Sequence, residues 1–392
     1  MEKLYEGLDQ IYDEIVEIRR YLHQNPELSF EEKNTAKYIA DFHKELGHDV
    51  RVNVGGNGVV ATLHGDQDGP TVAMRADFDA LPIQEENDVP YKSKVDGVMH
   101  ACGHDGHTAT LLGLAKVLNG MKQDLGGTVV FIHQHAEEIP PGGANSMIQD
   151  GCLDGVDVIF GTHLQSQVPF GKVLYRSGPI QAAPDRFDIK IQGKGGHAAN
   201  PHETKDSIVV AGQLIGSLQQ IVSRRVDPLE NAVVSVCSIE AINSYNVIAD
   251  SVSLTGTVRT LDEGVRSFIE EEIERVIKGT CLATDTSYEY EYSRGYPPTV
   301  NHKEETEFVA GLAESVPGVE NVEETEPIMG GEDFSYYLQN VKGTFFFTGA
   351  ENPDWKEEHP HHHPLFDIDE RALLVAAKTL GKATLTYMKN NK

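Results

Sequence analysis

The sequence predicts an α/β protein carrying an inserted, ferredoxin-like β-α-β-β-α-β unit, on three observations. Between about residues 47 and 175, apolar strand-like stretches alternate with helical ones, as in a sheet with helices on both faces. From about Ala182 the strands become one-sided and follow the split β-α-β-β-α-β order. After Pro297 and Pro298 the first pattern returns. The expected domains are therefore 1–181 and 298–392, together one α/β domain, with 182–297 inserted between them.

Each element has its own signal. Tyr5, Leu8, Ile11, Tyr12, Ile15, Ile18 and Leu22 recur at three- and four-residue steps and predict one amphipathic helix ending before Pro26. Ser29 and Glu32 are spaced as a capping box for a second helix that stops near Gly47. Strands are expected at Val59–Leu63, Thr71–Met74, Thr128–Ile132 and Val156–Gly161, and helices at Asp105–Leu118 and Asn145–Gln149. In the insert, Phe187, Ile189 and Ile191 alternate with Asp188, Lys190 and Gln192, which gives a strand with one apolar face. A helix over 205–223, strands over 232–238 and 251–259, a helix over 263–278 and a strand over 287–292 complete the unit. A last helix, from about Asp369 to Met388, is opened by the cap-like run Asp367–Glu370.

Composition narrows the function. The 392 residues are 39% hydrophobic and 24% charged, an ordinary globular balance. The net charge of −28 repels phosphate backbones and anionic lipid surfaces, so nucleic acid and membrane are poor partners. No apolar run approaches the roughly 18 to 20 residues that span a bilayer. The first twenty residues are charged throughout and lack the apolar core of a signal peptide, so a cytoplasmic location is expected. Cys102, Cys152, Cys237 and Cys281 lie far apart and are expected as reduced thiols.

Histidine, at 17, is the unusual count, and several sit beside Cys, Asp and Glu. Five clusters collect such residues: RADFDALP (75–82), MHACGHDGH (99–107), HQHAEE (133–138), GTHLQ (161–165) and HPHHHPLF (359–366). Four are expected just after a strand, at the carboxyl edge where α/β sheets place their sites. Thiolate, imidazole and carboxylate are the ligand set of zinc and its first-row neighbours. Taken singly, Cys102 with His104 reads equally as a buried thiol beside a turn histidine, the pair Glu137 and Glu138 as a solvated strand end, and His163 as a core histidine. Taken together they give a dinuclear hydrolase pattern, in which one glutamate of a neighbouring pair binds metal and the other shuttles a proton. The chain has no HExxH, no GxSxG, no GxxxxGK[ST] and no GxGxxG opening a helix. Cys102 as a nucleophile paired with histidine stays open, although acidic surroundings disfavour its thiolate unless a metal is bound.

In this order the clusters resemble the aminoacylase and carboxypeptidase group of dinuclear metallohydrolases, and most closely its N-acyl-amino-acid amidohydrolase branch. That branch includes hippurate hydrolases, N-acetyl-diaminopimelate deacetylases and auxin-conjugate hydrolases. The likeness runs from LHQNPELSFEE (22–32) to HHPLFDIDE (362–370) and rests on MRADFDALP, MHACGHDGH, GKGGHAANPH, MGGEDFSYY and HHPLFD. It implies a metallopeptidase-type catalytic domain with a mixed sheet, and an inserted dimerisation or lid domain. It implies two divalent ions per subunit (Zn, Mn, Co or Ni), held by Cys102, His104, Glu138, His163 and His362, with Glu137 as general base. His362 is singled out by the branch's H-x-P pattern, and Cys102 is the expected bridge. Asp77 matches an acidic residue that orients a metal ligand in the wider group, where the place of Arg75 belongs to a metal-binding histidine.

In the insert, His197 matches a histidine that reaches across a dimer to stabilise the tetrahedral intermediate, while Asn246 and Arg259 match residues that hold the substrate carboxylate. The implied partners are a small N-acylated amino acid or short peptide and a second copy of the chain. HQHAEEIPPGGA stands where the branch has a QPAEEGGGGA type of loop, and NVIAD where it has NVIPD, so substrate preference is the property least fixed by the likeness. A dipeptidase or carboxypeptidase of the same group is the alternative, and a metal-binding protein without catalysis is the reading from another class.

Overall fold

The computed structural model describes residues 1–391. In chain order its elements are α1 (Glu2–Gln10), α2 (Tyr12–Gln24), α3 (Lys33–Glu45), β1 (Asp49–Val54), β2 (Gly58–His64), β3 (Gln67–Asp77), α4 (His104–Gly120), β4 (Gly126–Gln134), α5 (Ala144–Gln149), β5 (Val158–Pro169), β6 (Lys172–Tyr175), β7 (Gly178–Gln181), β8 (Ala183–Gln192), β9 (Gly196–His197), α6 (Ser207–Gln220), β10 (Ala232–Glu240), β11 (Val247–Ile248), β12 (Ser251–Thr260), α7 (Glu263–Ala283), β13 (Ser287–Ser293), β14 (Thr299–Asn301), α8 (Lys303–Ala313), β15 (Asn321–Glu324), α9 (Phe334–Asn340), β16 (Gly343–Glu351) and α10 (Arg371–Asn390). They fall into two units: Met1–Gly178 with Val300–Glu326 and Asp333–Lys392, and Pro179–Thr299 with Pro327–Glu332. Among the described residues no helix is long and apolar enough to cross a membrane.

The first unit is built on an eight-stranded mixed sheet in the order β1-β2-β4-β3-β5-β16-β6-β15. Strand β3 pairs in parallel with β4 on one side and with β5 on the other, and β5 pairs in parallel with β16. The chain therefore changes direction about β3, the arrangement that leaves a crevice at the carboxyl ends of the strands. Alternation sends Val72, Met74, Phe131, Phe160 and Phe346 into one core with α1, α2, α3, α4, α8 and α10. On the other face Phe334 of α9 lies against Phe345 and Gly161, and Tyr337 reaches Met147 of α5. Gly113 lets Ile15 approach α4 closely: a Cβ there would stand 2.5 Å from the Ile15 side chain.

Three local expectations are corrected. The predicted first helix is two, broken at Ile11 without proline or glycine, so that Leu4 packs at Gly381 of α10 and Ile15 at Gly113 of α4. The capping box does not form. Ser29 donates instead to Asp79, Glu32 accepts from Ala136 N, and α3 is capped by the Glu27 carboxylate, which accepts from Asn34 N and Thr35 N. Strand β5 runs on to Pro169, because its pairing with β16 continues that far, so His163 lies within a strand and not after one. At α10, Asp369 takes the Arg371 N–H, while Asp367 and Glu370 bind Arg19 and Arg20.

The second unit has a four-stranded antiparallel sheet in the order β10-β12-β8-β13, with α6 and α7 on its apolar face. This is the topology of a β-α-β-β-α-β split unit. Strands β10 and β13 are its edges. A two-stranded ribbon, β9 with β11, stands apart from the sheet and pairs His197 with Val247.

Candidate metal centre

Strand ends and one helix start bring the first unit's chemistry together. Asp77 closes β3 and Asp79 follows it, Glu137 and Glu138 follow β4, His163 lies in β5, and His361 and His362 follow β16. Cys102 and His104 flank Gly103, whose φ of +93° lets the chain turn into α4. The turn before the glutamates is held by Glu32, which accepts from Ala136 N at 2.8 Å while Ala136 adopts φ +52°.

His104 is the pivot. Its Nδ1 donates to the carbonyl of Asp79 at 3.0 Å and to Asp79 Oδ1 at 3.1 Å, which leaves Nε2 facing inward as the nitrogen a metal would take. Asp79 Oδ2 accepts from Ser29 Oγ at 2.8 Å and from Glu138 N at 2.9 Å. One carboxylate thus fixes both His104 and the glutamate pair. His104 Nε2 and Glu138 Oε1 stand 3.9 Å apart, both buried and both without a hydrogen-bond partner among the described residues. With Cys102 Sγ they form a trio of donor atoms all within 4.8 Å of one another.

The electrostatics ask for a cation. Burial, and then Glu138, Glu137 and Asp77, push the Cys102 thiol well above its ordinary pKa. Burial opposes a charge on His104, yet Asp77, Asp79 and Glu138 hold its pKa up to about 10. A bare thiolate nucleophile at Cys102 is disfavoured by the same field, whereas a divalent ion would stabilise the thiolate and displace the His104 proton. Unpartnered buried donors of the right types, in an excess of negative charge, fit a metal.

A second trio joins Cys102, His163 and His361. His163 donates through Nδ1 to the Leu164 carbonyl and turns Nε2 to within 3.5 Å of Cys102 Sγ. His361 has Nε2 taken by Gln165 Oε1 at 3.1 Å. His362 lies on the other side, with Nε2 3.3 Å from Glu138 Oε2; its φ is +65° and its N–H donates to the Ala101 carbonyl. His107 has both nitrogens engaged: Nδ1 donates to Asp77 Oδ1 at 2.6 Å and Nε2 accepts from Leu164 N.

The structure thus gathers Asp77, Cys102, His104, Glu138, His163 and His362, with Glu137 buried beside Glu138. Asp77 bonds His107 and Arg75, and the carboxylate on the outer nitrogen of His104 is Asp79. Asp79, His107 and His361 were not singled out by sequence, although all three stand inside the quoted clusters. Nor was Arg19, fully buried, whose guanidinium donates to Asp105 beside His104 and to Asp367 beyond the histidine triplet. It ties together two segments that carry candidate ligands.

The remaining predicted residues lie in the second unit. His197 Nδ1 accepts from Ala199 N at 3.0 Å, which leaves the proton on Nε2, and the ring is exposed. Asn246 stands on the same ribbon, its carbonyl accepting from Ala198 N. Arg259, on β12, donates to Thr257 Oγ1 and to the Val258 carbonyl.

Residues 73–386 match the Peptidase family M20/M25/M40. The chain is 56% identical over 386 residues to YhaA of Bacillus subtilis (strain 168), a protein named as an amidohydrolase, covering 98% of each chain. It is 48% identical over 303 residues to the N-acyl-L-amino acid amidohydrolase of Geobacillus stearothermophilus, covering 77% of this chain and 82% of that one. The solved structure of the Bacillus subtilis YXEP protein, a dinuclear metal binding peptidase from the M20 family, superposes with a TM-score of 0.85 at 36% identity, over 97% of this chain and 99% of that chain. The chain belongs to Peptidase family M20/M25/M40 and is a metal-dependent hydrolase of amide bonds.

Proposed function

We propose that the protein cleaves the acyl amide of N-acyl-L-amino acids, using two divalent ions per chain that Cys102, His104, Glu138, His163 and His362 would hold. The observation that carries this is the pair of buried donors without a partner among the described residues, His104 Nε2 and Glu138 Oε1, beside a thiol whose pKa burial and neighbouring carboxylates raise and a cation would lower. Bound ions of this kind lower the pKa of water and polarise a carbonyl. Glu137 takes the proton of the attacking water and delivers it to the leaving nitrogen. His197, protonated on Nε2, donates to the oxyanion of the tetrahedral state. Arg259 and Asn246 hold the substrate carboxylate, since a guanidinium fork matches that group. Zinc, cobalt, nickel and manganese all suit the donor set.

A panel of N-acetyl, N-benzoyl and longer N-acyl amino acids, run beside dipeptides under each of the four metals, tests the substrate class. Faster turnover of N-acyl amino acids supports the proposal. Preference for dipeptides would favour the carboxypeptidase or dipeptidase alternative, for which the peptidase family membership speaks.

The same reading makes the enzyme a cytoplasmic homodimer whose inserted domain serves the partner's site. The sheet edges at β10 and β13 suit side-by-side pairing across a two-fold axis. Mixing Glu137→Gln with His197→Ala under subunit exchange is expected to restore activity, because each mixed dimer then holds one site with both residues. No recovery despite proven exchange would place His197 outside catalysis in trans.

A further inference from the structure

A buried polar chain runs from the loop before α9 to the metal centre. Asp333, in MGGEDFSYY, accepts from Arg75 Nη2 at 2.8 Å, from Gln134 Nε2 and from Ala144 N. Arg75 Nε donates to Gln134 Oε1 at 2.9 Å, and its Nη1 donates to Asp77 Oδ2 at 2.6 Å. Asp77 in turn accepts from His107, and His107 accepts from the N–H of Leu164, the residue after His163. Asp77 Oδ2 also stands 3.7 Å from the inward nitrogen of His104. Arg75, Asp77 and Asp333 are all nearly inaccessible, so none can exchange its partner for water.

Asp77, His104 and His107 are themselves a trio of metal-binding type, all buried and within 4.8 Å of one another. What marks this trio is that two of its three residues are engaged elsewhere: Asp77 Oδ2 by the Arg75 guanidinium, and both His107 nitrogens by hydrogen bonds. We propose that Arg75, braced by Asp333, is a positioning residue that fixes Asp77 as a support, through His107 and the Leu164 N–H, for the strand segment carrying the ligand His163, and keeps Asp77 from binding an ion itself. The planar fork suits this task, since its Nε, Nη1 and Nη2 donors address Gln134, Asp77 and Asp333 in fixed, separate directions. Gln134 closes the brace by bonding both Arg75 and Asp333. The proposal rests on the metal-centre reading above and names residues to which that reading gives no role.

The test is zinc affinity, measured by competition with a chromophoric chelator, together with thermal unfolding of the metal-free proteins. Arg75→Met leaves two buried carboxylates unpaired and is expected to lower both. The informative variant is Arg75→Met with Asp333→Asn, which removes one pair of opposed charges together and recovers part of the lost melting temperature but still leaves Asp77 without its guanidinium. It is expected to bind zinc about 10- to 100-fold more weakly than the unaltered protein, the usual cost of losing a partner behind a ligand. Zinc affinity equal to the unaltered protein in that double variant would mean that Arg75 only neutralises Asp333, and would overturn the proposal. If the unaltered protein bound no zinc, the metal-centre reading itself would fall, and this inference with it.

Discussion

Glu137→Gln is expected to keep fold and metal while losing nearly all turnover, whereas Glu138→Gln is expected to lose metal. The two side chains are neighbours, yet their surroundings differ. Among the described residues Glu138 Oε1 has no hydrogen-bond partner and faces His104 Nε2, and Oε2 faces His362 Nε2, so its oxygens address the cluster of donor nitrogens. Glu137 is buried beside them but belongs to neither Cys102-centred trio. An amide at Glu137 cannot move a proton, and such groups contribute on the order of 100- to 10,000-fold. Metal analysis and turnover of both variants decide the matter. Identical behaviour, or the reverse order, would show that the roles within the pair are misassigned.

Acid is expected to unfold the protein through a buried histidine chain. His43 Nδ1 contacts His48 Nδ1 at 2.9 Å, and His43 Nε2 contacts His133 Nε2 at 2.9 Å, all three buried around Phe131. Burial lowers the pKa of His43 to about 2 and that of His133 to about 3. These bases stay neutral in the fold, while in the unfolded chain they take up protons near pH 6.5. Their contribution to stability is therefore complete above that pH and is lost as pH falls toward the folded values. Each such base costs the fold about 1.4 kcal/mol per pH unit travelled below the unfolded pKa. His133→Phe is expected to reduce the dependence of unfolding free energy on pH by about that slope between about pH 6 and 4. Denaturant melts at several pH values measure it, and an unchanged slope would show that His133 is not a source of the acid sensitivity.

What was legible in the sequence shares one property: its signal is local and repeated. Alternation over Phe187–Ile191 reports a one-faced strand because each second side chain meets the same environment. Cys102 and His104, or Glu137 and Glu138, are visible because ligands from one loop cluster along the chain. Partners that act across the sheet leave no such trace. Ser29 and Glu32 have the spacing of a cap, but Asp79 and Ala136 claim them, 50 and 104 residues away. The break at Ile11 follows from what α4 and α10 offer to either side of it, which no window over residues 5–22 contains. Asp79 is two residues from Asp77 and chemically identical to it, and only the fold distinguishes the one that holds His104 from the one that holds His107. Among three adjacent histidines, spacing points to His362, while the structure also turns His361 toward Cys102.

The most direct measurement is the metal content of the purified protein after dialysis, paired with N-acyl amino acid hydrolysis before and after chelation. Five donors, including a thiolate that can be shared, exceed the three protein ligands that one catalytic ion uses while leaving a water position open. About two divalent ions per chain are expected, with activity lost on chelation and regained on adding metal back. A content near zero, or hydrolysis that survives a strong chelator, would contradict the dinuclear metal centre.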